Sequence, residues 1–141
     1  MSSVDPPAHG PPQVSILSQA AYLIVSIHTA LDDSQLLRLQ HDLLEQVERR
    51  RARGIIIDVA ALDVLDSFAT RTLTNMAKAA RLKGAESVVV GIAPEVAMAM
   101  VRLSLQMQFV RTALDLEEGL ELLNDLTSGH PRPPGRQVAR G

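Results

Sequence analysis

The sequence predicts an α/β domain built on a mixed, mainly parallel sheet with four helices. Three observations carry this. Short apolar runs at residues 14–17, 22–27, 55–59, 86–91 and 109–114 alternate, after the second, with stretches whose apolar residues recur at helical spacing. The central runs, Ile55-Ile-Ile-Asp-Val59 and Ser87-Val-Val-Val90, are continuously apolar, as strands covered on both faces are. Capping residues and glycines punctuate the stretches between them.

Taken in order, residues 14–17 and 22–27 form two strands, joined by a hairpin connection at Ser18-Gln-Ala-Ala21. Asp32-Asp33-Ser34 offers N-caps to a first helix, whose stripe is Leu36, Leu39, Leu43, Leu44 and Val47. Arg49-Arg-Arg-Ala-Arg53 and Gly54 read as its stop, with cations in the last turn and glycine just beyond. A second helix runs over residues 67–83, with Leu73, Met76, Ala77 and Ala80 inward. Arg71, Thr74, Asn75, Lys78 and Arg81 lie on the other side, and Gly84 ends it. Pro94 suits the first turn of a third helix striped by Val96, Met100, Leu103 and Met107. Asp115 with Glu118 is an Asp-type capping box for a fourth, packed through Leu116, Leu120 and Leu123. Short right-handed crossovers then make the sheet mainly parallel.

The chain has 141 residues, a one-domain length. Residues 13–127 read as the domain. The Pro-rich lead at 1–12 and the Arg/Pro tail at 128–141 are expected to be disordered, because neither holds enough apolar surface to offset ordering entropy. A formal net charge of −2, two Phe, one Tyr and no Trp argue against nucleic acid as a partner. The absence of cysteine excludes disulfides and thiolate metal sites. Neither a signal-peptide pattern nor a membrane-spanning apolar run is present, so a cytoplasmic protein is expected.

The candidate site lies in Ala61-Leu-Asp-Val-Leu-Asp-Ser-Phe-Ala-Thr-Arg-Thr-Leu73, where a strand hands over to the second helix. The ordinary role of Ser67 there is to cap the helix. The other reading is that it is written on. A helix start binds anions, and a phosphate would add roughly −1.5 to −2 charge beside Asp66. Leu65 and Phe68 flank it as candidate docking groups. Such a charge would repel acidic partner groups and burden an apolar contact without refolding the domain.

The motifs VSIHTALDD, IIIDVAALDVLDSFATRTL, GAESVVVGIAPEVAMAMVRL and TALDLEEGLELL resemble the STAS domain proteins, which include bacterial anti-sigma-factor antagonists. Within that family the chain is most similar to stressosome scaffold subunits of the RsbS type. The resemblance spans roughly residues 13–126. It implies that Ser67 is the phosphoacceptor, that an RsbT-like serine kinase is held by the unmodified scaffold and released on phosphorylation, and that RsbR-like STAS paralogues co-assemble with it as a homo- or hetero-oligomer. It implies no catalytic residue and no cofactor. The alternative within the family is a free antagonist that binds an anti-sigma kinase one-to-one. Relatives often carry Thr before the Gly-Ile pair as a second phosphoacceptor; Val90 stands there and has no hydroxyl to modify.

Other constellations weigh less. Asp58, Asp63 and Asp66 suggest a Mg²⁺ site for phosphoryl transfer, but no phosphate-cradling glycine motif accompanies them; Asp63 and Asp66 read better as loop and cap residues, with Asp66 also a candidate partner contact that shapes the local charge. His9, His28, His41 and His130 lack metal-ligand spacing, so no metal is expected. The basic run at 49–53 fits a helix end near Glu45 and Glu48 better than a phosphate contact. In AMAMVRLSLQMQ most methionines suit the core, and Met98, off the stripe, is the interface candidate. Arg71 is a further candidate partner contact.

Overall fold

The structure is a computed structural model that describes residues 13–107 and 110–128. Its elements follow the predicted order: β1 (Val14–Gln19), β2 (Tyr22–Ile27), α1 (Asp33–Arg50), β3 (Gly54–Asp58), α2 (Ser67–Leu82), β4 (Glu86–Val90), α3 (Pro94–Arg102), β5 (Arg111–Ala113) and α4 (Leu116–Thr127). The strands form one sheet in the order β1-β2-β3-β4-β5. β1 and β2 pair antiparallel through a two-residue turn in which Ala20 takes φ 53°. The pairs β2–β3, β3–β4 and β4–β5 are parallel. The disorder expected at residues 1–12 and 128–141 lies, apart from Ser128, outside the described residues; Phe109 lies outside them too.

The continuous apolar strands are continuous because helices cover both sheet faces. Leu23, Val25, Ile27, Ile55, Ile57 and Val89 pack in one cluster with Leu39, Leu43 and Val47 of α1, Leu73, Met76 and Ala80 of α2, and Val96 and Met100 of α3. Ile24, Ile56, Val88 and Val90 point the other way, onto Leu123 of α4. Three helices therefore lie on one face and α4 alone on the other. Burying one such aliphatic side chain stabilises the fold by about 1.5–3 kcal/mol, and β3 contributes in this way from both of its faces.

Helix ends are set partly by capping chemistry and partly by packing. Asp32 caps α1: its carboxylate accepts from the Gln35 backbone N–H at 2.8 Å, and the Gln35 side chain accepts from the Asp32 N–H at 2.8 Å. That backbone bond first, then the Ser34 hydroxyl, lowers the Asp32 pKa below the usual carboxylate value. The stop of α1 differs from expectation. Arg51, not Gly54, takes the left-handed conformation at φ 53°, and its N–H bonds back to the helix. Gly54 instead opens β3 under Leu123, where an added Cβ would stand 2.8 Å from Leu123 Cδ1. The basic run is a helix end as expected, with Arg49 3.4 Å from Glu45; Glu48, however, pairs with Lys83 across the fold at 3.0 Å.

Three stripes need correction. Thr74, placed outward by helical periodicity, is buried, because its hydroxyl donates to the Thr70 carbonyl at 2.9 Å and so needs no solvent. α3 stops at Arg102, which removes Leu103 and Met107 from its stripe and leaves Leu103 exposed. Leu116, at the first position of α4, is 38% exposed, while Leu120 and Leu123 pack.

Gly119 allows α4 to approach the sheet. A Cβ there would stand 2.7 Å from Val90 Cγ1 and 3.3 Å from Ile56 Cδ1. Gly119→Ala gains about 0.5–1 kcal/mol of helix propensity but overpacks a close-packed core at a cost of typically 1–3 kcal/mol. The expected outcome is a net loss of about 1 kcal/mol in urea unfolding; a stabilised variant would show that α4 can lift away from the sheet freely.

Candidate functional site

Parallel connection places the loops after β2, β3 and β4 at one edge of the sheet, the carboxyl edge, where ligand and partner sites of open α/β sheets gather. The β3–α2 loop, residues 59–66, is anchored at its start: the Val59 N–H donates to the Val90 carbonyl at 3.0 Å, and the Ala60 N–H donates to the Asp58 carboxylate at 2.9 Å. Gly91 follows β4 at φ 83°, and a Cβ there would meet Ala60 Cβ at 2.9 Å, so only glycine lets the two loops lie this close. Leu62 and Leu65 turn into the core.

The first turn of α2 chooses between the two caps that the sequence offers, Asp66 and Ser67. Asp66, not Ser67, is the N-cap; its carboxylate accepts the Ala69 backbone N–H at 2.8 Å. Ser67 is the first helical residue, exposed, and its hydroxyl makes no hydrogen bond among the described residues. The capping role assigned to Ser67 as its ordinary use is thus filled by its neighbour, which is better placed because the cap residue itself is extended, at φ −81° and ψ −178°.

Of the flanking candidates, Leu65 does not serve as a docking group in this conformation. It is 6% exposed and packed among Leu62, Leu73 and the strand residues of the core. Apolar neighbours in an irregular loop carry no periodicity to say which turns inward; the exposed one is Val64, at 64%, which the sequence reading passed over. Phe68 is half-buried. A crevice of about 70 Å³ runs beneath Asp66 between the end of β2 and this loop, lined by Ile27, Leu31, Leu62, Val64 and Leu65. Met98 is 54% exposed on α3, as expected for a residue off the stripe.

On its other side Ser67 borders a shallow polar concavity of about 390 Å³, lined by Arg71, Thr74, Asn75 and Lys78 of α2 and by Ser104, Leu105 and Gln106 after α3. Thr70 lines it as well. That residue is 3% exposed, and its hydroxyl oxygen has no partner among the described residues. Arg71 is exposed and makes no ion pair among the described residues. Its position four residues after Ser67 was readable from helical spacing. The concavity's far wall was not, because the turn after α3 rests on Ser104 at φ 56°, an unusual conformation for serine.

Asp58, Asp63 and Asp66 do not gather. Among the described residues the one cluster of possible metal-ligating groups is His41, Asp42 and Glu45, all exposed on α1. Val90 is 1% exposed and packs toward α4, so its position lies inside the core as well as lacking a hydroxyl.

Known proteins resemble this chain in sequence and in fold. The model of the STAS domain matches residues 12–119. A serine-to-glutamate variant of Moorella thermoacetica RsbS superposes with a TM-score of 0.71 at 33% identity, over 83% of this chain and 99% of that one. A chain from the molecular architecture of the stressosome, a signal integration and transduction hub, gives 0.64 at 31% identity, over 79% and 97%. The RsbT co-antagonist protein RsbRA of Bacillus subtilis (strain 168) is 28% identical over 97 residues, which is 69% of this chain but 35% of RsbRA; the chain spans about a third of that relative's length. Among the described residues no helix is long and apolar enough to cross a membrane.

The division of roles at the helix start has a measurable consequence. Asp66→Ala is expected to cost about 1 kcal/mol in chemical denaturation, the ordinary value of a lost cap. Ser67→Ala is expected to stay within about 0.5 kcal/mol of the parent. The reverse order would return the cap to Ser67.

Proposed function

The chain belongs to the STAS domain family, and from that premise we propose that it is a non-catalytic, phosphorylatable scaffold subunit of a stressosome. In this reading it holds an RsbT-like serine kinase until Ser67 is phosphorylated, then releases it to a stress-response pathway in the cytoplasm. The observation that carries the proposal is the state of Ser67: exposed, at the positive end of a 16-residue helix, with its hydroxyl left uncommitted because Asp66 does the capping. Likeness to RsbS and to a stressosome chain at above 30% identity supports the scaffold role. The likeness to RsbRA, an RsbT co-antagonist, supports the choice of kinase and of an RsbR-like paralogue as assembly partner.

The chemistry asked of this chain is small. The Ser67 oxygen attacks the γ-phosphorus of ATP bound to the kinase, ADP leaves, and a base on the kinase takes the hydroxyl proton. The product carries roughly −1.5 to −2 charge on a surface that already holds Asp66. Phe68 and Arg71 in the first turns of α2, with Met98 on α3, are the proposed partner contacts; Val64 joins them as the exposed apolar residue beside the serine. An anion set among these groups imposes a desolvation cost on the apolar contact and repels acidic partner residues. The fold beneath is untouched, since the core side of α2 faces the sheet.

Incubation with an RsbT-like kinase and ATP is expected to place one phosphate on Ser67, read by peptide mass spectrometry, and Ser67→Ala is expected to abolish it. Full labelling of the Ser67→Ala protein would falsify the assignment. The scaffold role is tested apart from the mark. Co-expressed with an RsbR-like paralogue, the protein is expected to elute in a very large mixed particle; small species alone would leave the one-to-one antagonist as the better reading.

A further inference from the structure

We propose that a phosphate on Ser67 is clasped within α2 itself, by the guanidinium of Arg71 one turn further on, so that the mark withdraws a docking cation as well as adding an anion. The proposal rests on the reading of Ser67 as phosphoacceptor and names what happens after the transfer.

Four features of the site lead there. Ser67 and Arg71 stand at i and i+4 on one helix, the spacing at which side chains are neighbours and at which an acid N-terminal to a base pairs best. Helical side chains lean toward the N-terminus, which carries Arg71 back over the turn that Ser67 begins. Arg71 is exposed, makes no ion pair among the described residues, and lines the same concavity of about 390 Å³ as Ser67. The concavity is itself polar, and Thr70 is among the residues that wall it. Thr70 is 3% exposed and carries a buried hydroxyl with no partner among the described residues.

Distance decides which cation does the holding. At 1.5 Å of rise per residue Arg71 lies about 6 Å along the axis from Ser67, within reach of a planar, five-donor guanidinium. Lys78, on the same concavity, lies about 16 Å away and only adds to the local potential. Need decides it as well. The phosphate sits beside the Asp66 carboxylate, which is already spent on the Ala69 N–H, so two anions meet at one helix start. The helix N-terminus favours both, and a bidentate cation one turn on offsets their repulsion. Arg71 turned toward the phosphate is no longer presented to a partner.

The test installs phosphoserine at position 67 during translation, so it does not depend on any kinase, and follows the second phosphate ionisation by phosphorus-31 NMR in the whole chain. A cation at hand favours the dianion and lowers the midpoint. Relative to Arg71→Ala, the parent is expected to titrate about half a pH unit lower, with Arg71→Lys between them. The helix dipole and Asp66 are common to all three proteins, so the difference belongs to position 71. Equal midpoints in the parent and Arg71→Ala overturn the clasp and leave the phosphoacceptor reading standing. Failure of the kinase to label Ser67, with the midpoints still apart, overturns that reading and leaves the clasp.

Discussion

Burial of β3 on both of its faces is the constraint from which the arrangement follows. Ile55 and Ile57 lie under α1 and α2, and Ile56 lies under α4. β3 pairs parallel with both neighbours, and parallel neighbours are joined by crossovers, which here are helices. Each crossover starts from the same edge of the sheet. The loops after β2, β3 and β4 are thereby gathered at one end, and the N-terminus of α2 is presented there with its unpaired N–H groups outward.

That presentation makes the division between Asp66 and Ser67 consequential. A carboxylate that takes the Ala69 N–H lets α2 begin without help from the next residue. The hydroxyl beside it can then change chemically at little cost to the fold. Gly91, whose positive φ brings the β4–α3 loop against Ala60, and Leu62 and Leu65, which pin the β3–α2 loop into the core, hold this surface in place from below. A rigid floor under an uncommitted hydroxyl suits a site where one added charge has to alter binding and nothing else. On the proposed reading the same helix also supplies the counter-charge, through Arg71.

The places where residue patterns misled share a cause. Thr74 was set on the outer face by periodicity, yet a hydroxyl that bonds the carbonyl four residues back can be buried. Gly54 was taken for a helix stop because glycine favours the left-handed turn, yet Arg51 adopts that turn and Gly54 is needed three residues on, where Leu123 leaves no room for a Cβ. Leu65 was read as surface because it adjoins the serine, while Val64, its neighbour, is the one exposed. For Thr74 a bond within its own helix made the choice, and for Gly54 and Leu65 packing against another part of the fold did.

From the sequence by itself came the order of all nine elements, the parallel character of the sheet, the stripes of α1 and α2, and the junction at Asp66 and Ser67, because these depend on periodicity and capping among near neighbours. The motif resemblance to the STAS family came with them. Tertiary structure alone decided that α4 lies by itself on the second face of the sheet, and that a turn after α3 completes a polar hollow beside the serine. Those are matters of which surfaces meet across long stretches of chain, and a repeat of two or of 3.6 residues states only that a face is apolar, not what will cover it.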